Sequence, residues 1–288
     1  MENLDTLEVT IVLSPKDPWS DILVAELSEL GFDSFVQTDS GLQAFAQAKL
    51  DVDNIMTNLS CSSIEDVDFS WEKKVIPHQN WNAKWEADFH PVFIKDIATI
   101  LAPFHDKALA IGHTVVIQPQ MSFGTGHHQT TWMMTKALFE IDKMPAKVLD
   151  MGAGTGVLSI FAEQLGAERV LAIDIEDWSA VNASENAERN GCTKIESVCG
   201  DVDKINGEKF GLIIANINKN VLKKHMSEYA KALLAGGTLL LSGFFGSDVD
   251  ELVTFAEQFG LTKNEEYAKD EWAGIRLSKL DSNLCEDK

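Results

Sequence analysis

The sequence predicts two domains, a small α+β domain followed by a larger α/β domain built on a parallel sheet. Residues up to Ile76 show the order strand, helix, strand, strand, helix, strand. From Lys147 onward, short apolar segments alternate with amphipathic ones, which is typical of a parallel sheet covered on both faces. The 288 residues are enough for one large domain or two of ordinary size.

The first domain begins with a strand and a helix. "LEVTIVL" (Leu7–Leu13) alternates and is β-branched, which predicts a strand. "PWSDILVAELSELG" predicts a helix that ends at Gly31. Four apolar positions are predicted to share the buried face of this helix, namely Ile22, Leu23, Leu27 and Leu30.

A hairpin and a second helix–strand pair complete the first domain. "FDSFVQT" and "LQAFAQA" predict two strands turning at Asp39-Ser40-Gly41. A helix is expected near Asp51–Leu59 and a strand near Asp68–Ile76. The resulting order predicts a ferredoxin-like sandwich. Because such a domain carries no chemistry of its own, we expect it to dock a partner.

A connector rich in aromatic residues follows. The spacing of Trp81, Trp85 and Phe89 puts them on one face of a short helix, either packed or contacting a substrate. His78 and His90 lack the spacing of a ligand pair. The predicted boundaries are residues 1–76 for the first domain, 77–118 for the connector and 119–288 for the second domain.

The second domain is predicted to contain seven strands and four intervening helices. The strands are "KVLDMG", "RVLAIDI", "IESVCGD", "FGLIIANI", "TLLLSGFF" and a terminal pair around "NEEYAKDEW" and "AGIRLSKL". The helices are "VLSIFAEQLG", "SAVNASENAERNG", "NVLKKHMSEYAKALLAGG" and "DVDELVTFAEQFG". Since ligands bind beyond the carboxyl ends of such strands, the residues that follow each strand are the candidate site.

A glycine loop follows the first of these strands. "DMGAGTG" (Asp150–Gly156) lets the backbone approach a ligand at the N-terminus of the next helix. A dinucleotide fingerprint would need a glycine at Val157 or Ser159, and a P-loop would need Gly-Lys-Ser/Thr. The pattern is therefore Gly-x-Gly-x-Gly after an acid. Asp150 is either a ligand or a carboxylate that stabilises the turn.

Polar residues end the next three strands. Asp174 lies 22 residues beyond Gly152, where an acid can accept both hydroxyls of a ribose. Asp201 is expected either to bind an adenine amine or to cap a helix. Asn216 ends an apolar strand, and its amide needs partners there.

The stretch "FGTGHHQTTW" precedes the first strand of the second domain. A helix is predicted to begin near Gln129, which places Thr131 in its first turn facing the ligand cleft. Its buried face is predicted to comprise Met133, Met134, Ala137 and Leu138. His127 and His128 are weak as a metal pair, because adjacent loop side chains rarely converge, and no metal is expected. Each remains a candidate general base.

The net charge of −21 argues against a broad nucleic-acid surface and favours a basic partner. No apolar run approaches the ~18 residues of a membrane helix, and the N-terminus lacks a signal-peptide pattern, so we expect a cytoplasmic protein with no membrane partner. The cysteines show no metal or disulfide spacing, which predicts reduced thiols at Cys61, Cys192, Cys199 and Cys285.

Together, "FGTGHHQTT", the glycine loop, "IDI", "NAERNG" and "NI" resemble the ribosomal protein L11 methyltransferases, the PrmA family of class I S-adenosylmethionine-dependent enzymes. The resemblance implies a Rossmann-like seven-stranded domain, with the ferredoxin-like domain recognising the substrate. It implies methyl transfer to lysine ε-amines, N-terminal α-amines or both on L11, with no metal. Asn216 would orient the amine. Cofactor contacts are predicted at Phe123, Thr131, Gly152, Gly154, Gly156, Asp174, Ile175, Asp201 and Asn216.

Two alternatives stay open at this point. One is a class I methyltransferase acting on another protein, on RNA or on a small molecule. The acidic charge disfavours RNA, and a separate docking domain disfavours a small substrate. The other is a nicotinamide-dependent oxidoreductase, against which the missing third glycine of the fingerprint argues.

Overall fold

The computed structural model describes residues 5–77, 81–120 and 122–280. These residues form two compact units that divide between Asp88 and Phe89. The predictions for His78, the Trp81 side chain and Cys285 concern positions outside the described part of the chain. Cys61, Cys192 and Cys199 are free thiols. Over the described ranges, no helix has the length and apolar character needed to cross a membrane.

The first unit has the predicted β-α-β-β-α-β order. Its elements are β1 (Thr6–Ser14), α1 (Trp19–Glu29), β2 (Phe32–Thr38), β3 (Gly41–Gln47), α2 (Val52–Thr57), β4 (Asp68–Ile76) and a final helix α3 (Trp81–Asp88). The antiparallel sheet has the order β2-β3-β1-β4. Fully buried Ile11, Leu23 and Met56 belong to the core between this sheet and its helices. The ferredoxin-like arrangement is therefore confirmed.

The predicted buried face of α1 is wrong at two of its four positions. Leu23 and Leu27 are fully buried, but Ile22 is 40% exposed and Leu30 is 41% exposed. The helix ends at Glu29, so Leu30 falls in its C-cap. Ile22 precedes Leu23 by one position, which rotates it about 100° away from the core-facing stripe.

The second unit begins with a small sheet that the sequence analysis did not predict. Its strands are β5 (Val92–Ile94), β6 (Ala98–Leu101) and β7 (His113–Val116). β5 pairs antiparallel with β6, which pairs parallel with β7. Strands of three or four residues show too little alternation to stand out in a sequence. The predicted connector, residues 77–118, thus contains α3 in one unit and this sheet in the other.

The rest of the second unit is the predicted α/β fold. Its elements are α4 (Gln129–Phe139), β8 (Lys147–Met151), α5 (Val157–Gln164), β9 (Arg169–Asp174), α6 (Asp177–Arg189), β10 (Ile195–Cys199), β11 (Phe210–Asn216), α7 (Lys219–Ala232), β12 (Leu233–Phe245), α8 (Val249–Glu257), β13 (Leu261–Lys269) and β14 (Trp272–Lys279). The seven-stranded sheet has the order β10-β9-β8-β11-β12-β14-β13, and β14 alone runs opposite to the other six strands.

Side-chain alternation along the strands builds a hydrophobic core on each face of this sheet. On β8, Leu149 packs with residues of α7 and α8, whereas Val148 packs with residues of α4 and α5. The predicted face of α4 is confirmed, because Met133, Met134, Ala137 and Leu138 are all buried. The predicted end of α7 is wrong. This helix was predicted to reach Gly237, but it stops at Ala232 because Leu233 already pairs with Phe210 of β11.

The chain order places the functional residues at one edge of the sheet. β8 lies at the centre, β9 and β10 extend the sheet to one side, and β11 and β12 extend it to the other. The carboxyl ends of β8 and β11 therefore flank the point where the strand order reverses. In open α/β sheets this is where ligands bind.

Candidate active site

A cavity of about 380 Å³ opens beyond the carboxyl ends of β8, β9, β10 and β11. The predicted contact residues that line it are Phe123, Gly152, Gly154, Asp174, Ile175, Asp201 and Asn216. Other lining residues were not predicted, among them Glu176, Trp178 and His225. Residues from five separate segments of the chain thus converge on one cleft within the second unit.

The glycines of the loop between β8 and α5 permit close packing that a side chain would block. Gly154 has φ +55°, and a Cβ there would lie 2.2 Å from the carbonyl oxygen of Phe123. Gly152 has φ +72°, and its Cβ would meet Ile217 at 2.2 Å. Both conditions exclude larger residues at these positions. The backbone of the loop is therefore exposed to whatever occupies the cavity.

Asp174 is fixed at the tip of β9 by two backbone donors. The amide of Gly154 donates to Oδ2 at 2.8 Å, and the amide of Glu176 donates to Oδ1 at 3.1 Å. An ionised carboxylate has about four lone-pair sites, so two remain for a ligand. A rigid carboxylate with free acceptor sites is suited to a vicinal diol such as that of a ribose.

The stretch Phe123–Trp132 is bound directly to the glycine loop. The amide of Thr155 donates to the carbonyl of Phe123 at 2.8 Å, and its hydroxyl donates to the carbonyl of Gly124 at 2.7 Å. The Phe123 side chain is 52% exposed at the rim of the cavity. This stretch therefore forms one wall of the cleft, as predicted from its position before the first strand.

A second, smaller cavity of about 240 Å³ adjoins the first. Phe123, Asn216, Ile217 and Asn218 line both cavities. The second cavity adds the aromatic rings of His128 and Trp272, which lie 4.6 Å apart, together with Thr130 and Gly243. The buried Oδ1 atom of Asn216 has no hydrogen-bond partner among the described residues. Asn216 thus lies where the two compartments meet, and its buried amide oxygen makes no hydrogen bond to the described residues.

This arrangement matches a known group of proteins. The sequence model described as "Ribosomal protein L11 methyltransferase (PrmA)" matches residues 10–280. The chain belongs to this family. The match spans the first unit as well as the second, so it includes the region where the sequence motifs are weakest.

Named relatives agree with the family assignment. A ribosomal protein L11 methyltransferase from Porphyromonas gingivalis is 42% identical over 90% of this chain and 90% of its own length. One from Chlorobaculum tepidum is 33% identical over 88% of this chain and 90% of its own. The crystal structure of a ribosomal protein L11 methylase from Lactobacillus delbrueckii subsp. bulgaricus superposes with a TM-score of 0.62 and 26% identity, covering 67% of this chain and all of that one.

The family is S-adenosylmethionine-dependent, and the cleft has the groups that this cofactor needs. Asp174 would offer acceptors to the ribose hydroxyls, and the exposed apolar side chains of Ile175 and Trp178 would offer contact area to a base. The unused oxygen of Asn216 would be an acceptor near the reacting end. When bound, the cofactor supplies a methyl group already activated on a sulfonium. The nicotinamide alternative is set aside by the family assignment.

Thr131 and Gly156 do not line the cavity, although they were proposed as cofactor contacts. Thr131 is fully buried, and its Oγ1 has no hydrogen-bond partner in the described part of the chain. Gly156 has φ +76° and caps α5, and a Cβ there would lie 3.0 Å from Cβ of Ala183 on α6. The position of Gly156 indicates close helix packing. The cofactor roles of both residues stay predictions.

Asp201 takes the capping role, and its adenine contact stays a prediction. Its Oδ1 accepts from the amide of Val202 at 2.8 Å and caps the 3₁₀ helix Val202–Ile205. The residue also lines the cavity, and the same oxygen lies 3.4 Å from Nδ1 of His225 on α7. Capping leaves Oδ2 available on the ligand side, apart from a distant Lys224 ammonium at 3.8 Å.

The adjacent histidines have separate structural tasks. One ring nitrogen of His127, Nε2, hydrogen-bonds the carbonyl of His90 at 2.8 Å. Nδ1 of His128 accepts from the amide of Thr130 at 3.3 Å and caps α4. Burial lowers the pKa of His128, which favours the neutral ring that capping requires. No group of three His, Cys, Asp or Glu side chains that could hold a metal occurs within the described ranges.

Two asparagines of the motif "NAERNG" on α6 hydrogen-bond the backbone of neighbouring segments. Nδ2 of Asn186 donates to the carbonyl of Thr155 at 3.0 Å, and its Oδ1 accepts from the amide of Gln118 at 2.9 Å. Asn190 forms a reciprocal pair with the backbone of Val116, both bonds at 2.8 Å. The two amides therefore hold the glycine loop and the segment after β7 against α6.

Asp150 is a structural carboxylate. It is 1% exposed, and its Oδ2 accepts a 2.6 Å hydrogen bond from the hydroxyl of Ser159 on α5. Burial, with a further contribution from the charge of Asp174, raises the pKa of Asp150 from 3.8 to about 6, against the opposing effect of the Ser159 hydrogen bond. Since Asp150 does not line the cavity, the turn-stabilising alternative is the one that the geometry favours.

Asp150→Asn is expected to remove one component of the pH dependence of folding. The pKa of Asp150 is higher in the folded state, so its contribution is fully present below pH 3.8 and is lost as the pH rises through about 6. A shift of about two units corresponds to about 3 kcal/mol. Denaturant titrations from pH 4 to pH 8 should show the variant gaining about that much stability relative to the wild type. If the stabilities of the variant and the wild type changed in parallel with pH, the raised pKa assigned to Asp150 would be contradicted.

Proposed function

We propose that this chain transfers methyl groups from S-adenosylmethionine to amines of ribosomal protein L11. The acceptors are lysine ε-amines, the N-terminal α-amine, or both. The names of the relatives support the substrate. The observation that supports amine chemistry is the meeting of two cavities at Asn216, whose buried Oδ1 is unused.

The reaction is an in-line displacement in which the amine nitrogen attacks the methyl carbon and the sulfonium becomes a thioether. The protein aligns the two reactants and excludes water, so the rate gain comes from positioning. The Oδ1 atom of Asn216 accepts a hydrogen bond from the amine. That bond orients the amine so that the lone pair on its nitrogen points toward the methyl group. The rings of Phe123, His128 and Trp272 surround the smaller cavity and shield the reacting pair from water.

The amine must be neutral when it attacks. A free lysine has a pKa of about 10.4, so roughly one in 2,500 is neutral at pH 7. Entry into an aromatic cavity beside a cationic sulfonium disfavours the ammonium form through desolvation and like-charge repulsion. Asn216 accepts hydrogen bonds but carries no negative charge, so it does not counter this effect.

The net charge and the first unit support a basic protein partner. A charge of −21 attracts a basic protein and repels free nucleic acid. We assign substrate recognition to residues 1–76, consistent with a small sandwich that carries no catalytic group of the cleft. A ribosomal protein substrate supports a cytoplasmic location for the reaction.

The test is methyl transfer to purified L11 with isotope-labelled S-adenosylmethionine, read by intact-mass and peptide mass spectrometry. The expected result is a stepwise mass gain on L11. A sample with chemically blocked lysines and a free N-terminus separates ε-amine from α-amine transfer. Label in ribosomal RNA or in another ribosomal protein, with none in L11, would overturn the proposed substrate.

A further inference from the structure

A row of four aromatic rings leads from the rim of the larger cavity to the surface at the end of β12. The ring centroids lie 5.2 Å apart for Phe123 and His128, 4.6 Å for His128 and Trp272, and 4.5 Å for Trp272 and Phe245. The first three rings line the smaller cavity. Phe245 lines neither cavity and is 45% exposed, so the methyl-transfer chemistry described above gives it no role.

A β-bulge brings Phe245 into this row. β12 carries one extra residue relative to β14 at Gly243, whose φ is +95°. A Cβ at Gly243 would lie 2.3 Å from the carbonyl oxygen of Ile217, so only glycine fits there. One extra residue exchanges the faces of the side chains that follow it, and bulges beside active sites re-aim side chains in this way. Phe244 therefore enters the core, whereas Phe245 stacks on Trp272.

Two carboxylates lie beside the exposed ring. The amide of Gly246 donates to the carbonyl of Glu271 at 2.9 Å, which holds the turn between β13 and β14 against the end of β12. This turn consists of Asp270 and Glu271, and both residues are exposed. The adjacent Lys269 places its ammonium 4.6 Å from the centre of the Trp132 ring. The surface next to the smaller cavity thus combines an apolar ring with two negative charges.

We propose that Phe245 docks the segment of the substrate protein that flanks the acceptor amine, and that Asp270 and Glu271 favour a basic residue in that segment. A lysine whose amine enters the smaller cavity brings its own main chain to this surface, so its sequence neighbours contact Phe245. Isolated exposed apolar residues are ordinary, but Phe245 is distinguished by stacking on a ring of the acceptor cavity. Aromatic anchors beside complementary charges are typical of protein–protein contacts. This inference rests on the proposed methyl transfer to a ribosomal protein amine.

The experiment measures steady-state methyl transfer to L11 by variants of the full chain. Phe245→Ser should raise the KM for L11 about tenfold, the loss expected for an aromatic contact of moderate strength. Its kcat and its Kd for S-adenosylmethionine should match the wild type, because Phe245 lines neither cavity. Phe245→Leu should keep most of the affinity, because it keeps an apolar contact. Leu234→Ser is the matched control, since Leu234 is 47% exposed at the other end of β12 and should leave the KM unchanged.

A double variant tests the two carboxylates. Asp270→Asn with Glu271→Gln should raise the KM for L11 a few-fold at low ionic strength, and the difference should shrink in high salt because exposed charges are screened. The charge control is Asp250→Asn with Glu257→Gln, which neutralises two exposed carboxylates of α8 and should keep the wild-type KM.

Three results would count against the docking role or its basis. A wild-type KM in Phe245→Ser would overturn it. A lower kcat at an unchanged KM would also overturn it, because Phe245 would then act only by supporting Trp272. Absence of transfer to L11 by the wild-type enzyme would instead overturn the proposed function on which the inference rests.

Discussion

Asp174→Ala is expected to weaken S-adenosylmethionine binding by about a hundredfold or more while the fold stays intact. Two hydrogen bonds from ribose hydroxyls to a carboxylate are worth about 3 kcal/mol together, which corresponds to a factor of this size. The variant also removes the acceptor for the amides of Gly154 and Glu176, so it loosens the glycine loop on the ligand side. Both losses act on binding in the same direction.

Calorimetry with the cofactor measures this effect, and two variants control it. Asp174→Asn keeps the shape and one acceptor oxygen but loses the charge, so its affinity should lie between those of the wild type and Asp174→Ala. Asp177→Ala makes the same charge change in the exposed first turn of α6, outside the cavity, and should bind normally. Equal affinities for Asp174→Ala and the wild type would show that the ribose assignment is wrong.

Residues that follow strands could be located from the sequence because their placement is dictated by topology. Parallel strands deliver their carboxyl ends to one edge, so Gly152, Asp174, Asp201 and Asn216 had to converge once their strands were recognised. The structure confirms the strands and brings these four residues to one cavity. No side-chain geometry was needed for that step.

The directions of side chains on helices were harder to predict. They depend on how each helix is rotated about its own axis, and the sequence leaves that rotation uncertain by the step between two successive residues. Thr130 lines the smaller cavity and its neighbour Thr131 is buried away from both cavities, yet the two are interchangeable in the pattern. His225 lies in the middle of α7 and belongs to no motif, so only tertiary packing reveals that it reaches the cleft. The short strands β5 to β7 were not predicted for a related reason, since their pairing rather than their periodicity defines them.

The signature stretch shows how a motif can mislead about chemistry and still mark the site. Its adjacent histidines draw attention to metal binding, which their spacing disfavours, and in the structure His127 bonds the carbonyl of His90 while His128 caps α4 with a neutral ring. Its glycine Gly124 packs where a Cβ would lie 2.9 Å from Oγ1 of Thr155. The stretch therefore forms a wall that fits the glycine loop and lines the smaller cavity together with Asn216.

Asn216→Ala is expected to lower kcat by about a hundredfold, the order of loss that follows when a reacting group is misplaced by about 1 Å. The amine would lose its buried acceptor at the junction of the two cavities, and its lone pair would no longer be aimed at the methyl group. Cofactor affinity should change less, because the ribose and base contacts are intact. The Kd for S-adenosylmethionine and the rate of methyl transfer to L11 should therefore separate in this variant.

Asn220→Ala is the matched control for this rate effect, since it removes an exposed amide from the first turn of α7 that lines neither cavity. It should transfer methyl groups at the wild-type rate. A proportional loss of affinity and rate in Asn216→Ala would place the residue at the methionine end of the cofactor rather than at the amine. An unchanged rate would remove Asn216 from the mechanism and require that another group orients the acceptor.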